Sequence, residues 1–194
     1  MEIKSLFSIA SSVLVIAAIV PLILTILRDR HNPKGYHPPM VTWTIWAGVD
    51  LVVVFSMYAK GAVSGLMIGG TVGAVVVAGL SLKYGKRHWE TTDKICFGGA
   101  ILGGLVALMR PELGLMVSNV VLLIGGYPTF KKSYLEPYKD SLAVWSIFAA
   151  ACVLGVLAVP HRTIAAASGP VTFLVIDGTI WALLLGPRLK RLFA

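Results

Sequence analysis

The sequence predicts an all-α integral membrane protein whose seven transmembrane helices form two parallel three-helix bundles joined by a linker helix. Three observations predict it. Apolar stretches fill the 194-residue chain almost end to end, only 13% of residues are charged, and the three stretches after the fourth repeat the order of features of the three before it. Mean hydropathy is +0.83, far above that of a water-soluble domain. The stretches also lack the polar stripe that a soluble helix keeps on one side.

A helix needs about 20 apolar residues to cross a bilayer core about 30 Å thick. On that basis the spans are Leu6–Leu27, Val41–Ala59, Ala62–Leu82, Ile95–Met109, Leu113–Phe130, Leu142–Val159 and Val171–Leu185. The fourth and seventh are short, and would reach full length by adding a turn from 91–94 and from 165–170. The first is too long for the apolar core of a secretion signal and lacks a small-x-small cleavage site, so it reads as a retained helix. Short loops leave no room for a separate soluble domain. The expected units are a first three-helix repeat over 1–88, a linker helix over 89–112 and a second three-helix repeat over 113–194.

The charge of +8 is first a topology signal. Basic residues near span ends are retained on the cytoplasmic side. Lys4, Lys60, Arg110 and Arg162 fall on the face of the amino terminus, and the other 13 of the 17 Lys and Arg residues fall on the opposite face. The expectation is an integral plasma (inner) membrane protein with the amino terminus outside and the carboxyl terminus cytoplasmic. Because these charges sit in separate loops at the ends of apolar helices, they do not make a nucleic-acid surface. Cys96 and Cys152 fall inside spans, where they read as packing residues and not as a disulfide or metal pair.

The repeat rests on ordered features, not on residue identity. Ile19-Val20-Pro21 near the inner end of span one matches Gly126-Tyr127-Pro128 near that of span five. A basic, proline-containing loop follows each. Each chain then re-enters the membrane through tryptophan, at Trp43 and Trp46 in the first half and at Trp145 in the second. Each half leaves through a basic run, 83–87 and 187–191. One span between two three-helix units gives both units the same orientation, a parallel repeat about the membrane normal. Proline inside a helix removes a backbone hydrogen bond and kinks it, so Pro21 and Pro128 are candidate hinges.

This three-plus-one-plus-three arrangement resembles the SWEET and PQ-loop transporter superfamily, over nearly the whole chain at the level of topology. The family's Pro-Gln pair is degenerate here, since Leu22 follows Pro21 and Thr129 follows Pro128. The resemblance implies a three-helix bundle per half, a solute bound midway between halves, and movement of a sugar, amino acid or related small metabolite by alternating access. By repeat position, Trp43 or Trp46 and Trp145 resemble its pocket-lining aromatics, and Asp177 lies where the family often places a pocket asparagine.

Intramembrane acids are scarce because each costs about 2.5–3.5 kcal/mol at mid-bilayer on insertion scales. Asp50 and Asp177 lie near the middles of spans two and seven, each one helical turn from a tryptophan, Trp46 and Trp181. An indole plate beside a carboxylate suits a polyhydroxy solute, and the same pair suits a cationic amine. The candidate substrate-binding residues are therefore Asp177, Trp181, Trp46, Asp50, Trp145 and Asn119. The competing reading makes both acids structural, hydrogen-bonded to neighbouring helices, in a non-transporting scaffold or accessory subunit that keeps the fold.

Enzyme chemistry is not expected. His31, His37, His88 and His161 all lie in loops, and His88-Trp89-Glu90 with Asp93 has no zinc-type spacing. The glycine pairs lie within spans, not between a strand and a helix, so they form no phosphate loop. No cofactor or metal is expected. The expected partners are a small-molecule solute and the lipid bilayer, with the chain as a monomer or homo-oligomer. Gly65, Gly69 and Gly73 in span three, and Gly99 and Gly103 in span four, are spaced for close helix contact, and packing within one chain accounts for them.

Overall fold

The computed structural model describes residues 3–33, 35–159, 161 and 163–192. Lys34 and Arg162, both used in the charge count above, lie outside the described residues. Seven α-helices and no strands are present among those described: α1 (Ile3–Asp29), α2 (Met40–Ala59), α3 (Gly65–Tyr84), α4 (Thr91–Met109), α5 (Pro111–Leu135), α6 (Leu142–Leu157) and α7 (Ile164–Leu192). Six of them are long and apolar enough to cross a membrane; α6, with 16 residues, is the shorter one.

The sequence sets the helix ends locally. Gly61 takes a left-handed φ of 62° in the turn after α2, a conformation glycine adopts without steric cost. The hydroxyls of Ser64 and Ser141 then accept from the backbone N–H of Met67 and Val144, each at 3.4 Å, as N-caps of α3 and α6. Glu90 and Asp93 form a reciprocal capping box on α4. Pro111 opens α5, where its missing N–H costs nothing.

The fourth and seventh helices gain the expected turns, starting at Thr91 and Ile164. The shortfall falls instead on α6, which stops at Leu157, ahead of the expected Val159. Pro160 follows in the sequence, and the residue before a proline is steered away from helical geometry.

Each middle helix of a triplet packs against both of its companions: α3 against α1 and α2, α7 against α5 and α6. The triplets meet chiefly through α1 with α6 and through α2 with α5, with smaller contacts of α7 with α2 and α3 and of α3 with α6, while α4 lies against α5 and α2. The glycine spacing shows how closely these backbones approach. Built as alanine, Gly69 would place its Cβ 2.9 Å from the Ser12 carbonyl oxygen, and Gly65 and Gly73 likewise face Ser8 and Ile19, so these three glycines serve α1. Gly99 and Gly103 face Val121 and Ser118 of α5. Both sets are thus packing within one chain.

Two large apolar cores result, with a small third cluster of Ala47, Ala74 and Ala78 between α2 and α3. Val49, Val53, Leu115, Leu122, Ile176 and Ile180 belong to one, built from α2, α5 and α7 with α4 behind. Val15, Ile19, Leu66, Val77, Ala151 and Cys152 belong to the other, built from α1, α3 and α6. Phe173 of α7 packs against both. The outward sides of α1 and α4 are apolar and exposed, with Ile9, Val13, Ile16, Ile101, Leu105 and Leu108 among them, as lipid contact requires.

Candidate functional site

Asp50 and Asp177 are both enclosed, at 4% and 8% exposure. Their helices bring them within electrostatic reach of each other. Cys152 of α6 donates its thiol to the Asp177 carboxylate, Sγ to Oδ2 at 3.2 Å. The Asp50 Oδ1 atom has no hydrogen-bond partner. Three helices, α2, α6 and α7, therefore contribute to one polar spot, and Thr71 of α3 is also buried with its hydroxyl unpartnered.

Asn119 is buried at 7% exposure, and its amide oxygen has no partner. Leu115 and Leu122, one turn to either side on α5, pack in the same core as the neighbours of Asp50 and Asp177.

The tryptophans lie elsewhere. Trp46 turns into a crevice of about 10 Å³ among α2, α4 and α5, lined also by Thr42, Asp93, Cys96, Gly125 and Pro128, with room for at most one water. Its indole N–H is buried without a partner, and Trp43 meets it edge-on at 5.7 Å between ring centroids. Trp181 donates its indole N–H to Ser146 Oγ at 3.0 Å and lines an apolar groove of about 730 Å³ between α6 and α7, with Ala149, Val153 and Gly178. Neither concavity includes Asp50 or Asp177. Trp145 packs against the α2/α5/α7 core and tilts over Phe148.

Pro21 and Pro128 lie inside α1 and α5, and both are exposed, Pro128 also bordering the Trp46 crevice. In α1 the Thr25 hydroxyl donates to the Pro21 carbonyl at 2.8 Å. Pro170 and Pro187 lie inside α7 as well.

Both loops at the Pro21 and Pro128 ends are tied down, by different chemistry. After α1, the backbone of 38–40 bonds to Lys86 beyond α3, and the His37 ring nitrogens sit 3.0 Å from the carbonyls of Tyr84 and Asn32. After α5, the Arg188 guanidinium at the end of α7 donates to the carbonyls of Pro137, Asp140 and Leu184, and the Tyr138 ring lies beneath Arg188 and Arg191. Asp93 accepts from Thr42 Oγ1 at 2.8 Å and from the Glu90 N–H at 3.0 Å, which joins α4 to α2. Among the described residues no group of three or more His, Cys, Asp or Glu side chains is placed to hold a metal, and Cys96 and Cys152 are free thiols.

Sequence reasoning singled out the two acids and Asn119 by the scarcity of such groups in apolar helices. It did not select Cys152, which read as a packing residue, nor Phe173, one turn from Asp177 on α7.

These features define a helical membrane protein whose apolar interior encloses two acids. Comparison with protein-family models, with curated proteins and with solved structures returned no match.

Proposed function

We propose that this chain is a carrier that moves a small polar metabolite across its membrane by alternating access. The observation that carries the reading is the convergence of Asp50, Asp177 and Cys152, drawn from both triplets, on one enclosed spot in an otherwise apolar interior. An acid is expensive in a bilayer unless it serves a cavity, a partner or a pathway. The chain keeps two where its repeats meet.

In this reading α1–α3 and α5–α7 are parallel bundles related by a two-fold axis along the membrane normal, and α4 is the linker. The packing supports it: exchanging α1, α2 and α3 for α5, α6 and α7 carries each contact between triplets onto the other, and carries the α1/α3/α6 core onto α5, α7 and α2. The same pattern supports a SWEET-like arrangement. The amino terminus would lie outside. Pro21 and Pro128, at equivalent depths, would let the bundles rock, and the enclosed acids would mark an occluded conformation. Sugars, amino acids and small vitamins are the solutes to try.

The test is counterflow of labelled sugars, amino acids and vitamins in liposomes holding the purified protein. Exchange of one class, lost in Asp177→Ala while the variant stays folded, is the expected result; unchanged flux removes Asp177 from the mechanism. The Asp177–Cys152 bond favours a second reading, a non-transporting scaffold that ties its acids to neighbouring helices. Silence across the panel from folded, inserted protein supports that one.

A further inference from the structure

The groove between α6 and α7 is used by neither the two acids nor the candidate hinges. It holds about 730 Å³, within the range of about 300–1,000 Å³ typical of ligand sites. Ala149, Ala150, Val153, Leu174 and Val175 wall it. Two of its polar side chains satisfy each other, Trp181 Nε1 donating to Ser146 Oγ at 3.0 Å. Such walls offer a polar solute little and suit hydrocarbon.

The chemistry changes at one end of the groove. Gly178, Ala182, Leu185 and Leu189 follow at spacings of four, three and four, so one face of α7 stays apolar as far as the basic run 187–191. That end of α7 is fixed beside the entry to α6. The Arg188 guanidinium donates to the Pro137 and Asp140 carbonyls at 2.6 and 3.1 Å, and Tyr138 Oη donates to the Pro187 carbonyl at 3.1 Å. Segments 131–140 and 187–191 hold six Lys or Arg residues against two acids. Both acids are taken, Asp140 by Lys132 and Glu136 by Lys139. Among the described residues, Lys131, Arg188, Lys190 and Arg191 form no ion pair. Arg188 is part-buried, and its partners are carbonyl oxygens and the Tyr138 ring, none of them charged.

A hydrocarbon surface ending at unbalanced cations suits an amphiphile with an anionic head. A second copy of this chain would set the same cations of each copy against one another, and like charges so placed are disfavoured. We propose that the α6/α7 groove binds an anionic phospholipid. One acyl chain lies along Ala149, Val153 and Gly178, and the phosphate is held by Lys190, Arg191 and the remaining N–H groups of Arg188. Basic pockets between membrane helices recognise lipid head groups in this way. The site is separate from the acids and does not depend on the carrier reading.

The experiment titrates delipidated protein in detergent with phosphatidylglycerol or phosphatidylcholine carrying brominated acyl chains, and follows quenching of indole fluorescence. Each Lys or Arg near an anionic head contributes about five-fold, so half-quenching at about ten-fold less phosphatidylglycerol than phosphatidylcholine is expected. Trp181→Phe removes the saturable part of that quench. Gly178→Leu fills the groove, where an added Cβ meets only Leu174 Cδ1 at 3.9 Å, and abolishes saturable quenching by both lipids. Lys190→Gln with Arg191→Gln leaves the chain in the groove and brings the two lipids to within about two-fold; this pair and Trp181→Phe decide the matter where Gly178→Leu does not fold. Equal quenching of the wild type by the two lipids overturns the proposal. So does a phosphatidylglycerol preference that survives Gly178→Leu or Trp181→Phe, because the lipid then sits elsewhere. A dimer shielded from both lipids, separated by Gly178→Leu, overturns it in favour of a second copy.

Discussion

The two apolar cores sit at equivalent places in the helix arrangement and carry unequal cover. The α2/α5/α7 core is backed by α4, and there Trp46 is wedged against Gly125, where an added Cβ would lie 2.6 Å from the indole nitrogen. The α1/α3/α6 core has no such backing: α1 shows its apolar outer side to lipid, and α6 borders the open groove beside α7. Without a strong hydrophobic drive between helices in lipid, association rests on close packing and interhelical hydrogen bonds. The uncovered core accordingly uses small residues and buried bonds, such as Ser11 Oγ to the Ala151 carbonyl at 2.7 Å. The lesson is that one seam is braced and the other is free to give. In the carrier reading, the rocking motion belongs to the free seam.

Substitutions that overfill each seam break that comparison most directly. Gly125→Val drives a side chain into Trp46, itself blocked by Trp43 and α4, and is expected to cost about 2–3 kcal/mol, in the upper range of overpacking penalties. Gly155→Val meets Leu66 at 2.5 Å across the free seam; because α6 can shift toward the groove, about 1 kcal/mol is expected. Unfolding of both variants in the same detergent measures the difference, and equal losses would show the seams equally rigid. Removing the bond across the free seam, Ser11→Ala, is expected to cost about 0.6 kcal/mol, the usual size of an interhelical bond in membranes. The smallest effects belong to the end clamps. Arg188→Ala gives up three carbonyl partners, whereas His37→Ala leaves the backbone pairing of Pro38 and Met40 with Lys86 in place. Faster amide exchange over 136–141 in the first variant, against little change over 35–39 in the second, is expected.

The helices were legible because basic residues and loop prolines punctuate long apolar runs. The start of α7 was not, since Pro170 reads as a boundary while the helix runs through it from Ile164; neighbouring groups in a membrane protein can satisfy the carbonyl such a proline frees. Packing glycines at four-residue spacing were legible as well, and each set found a neighbouring helix. In the candidate site the acids were legible as anomalies, but their tryptophan companions were not. Four residues along a helix advance the side chain by about 400°, some 40° beyond a full turn. On helices at a seam that offset separates inside from outside, so Asp177 faces Cys152 while Trp181 lies in the outer groove. Residues that meet only through tertiary packing, such as Phe173 between the two cores, leave no spacing signal at all.

The brevity of α6 has a consequence for the surrounding lipid. Its 16 residues span about 24 Å at 1.5 Å per residue, against a hydrocarbon core of about 30 Å. Its neighbours α1 and α7, with 27 and 29 residues, exceed that thickness. Hydrophobic mismatch is therefore confined to one side of the molecule. Where α6 crosses the bilayer, thinning beside it costs a fraction of a kcal/mol per Å, so over about 6 Å the strain reaches a few kcal/mol. Short-chain lipids relieve that strain on the side where the groove opens.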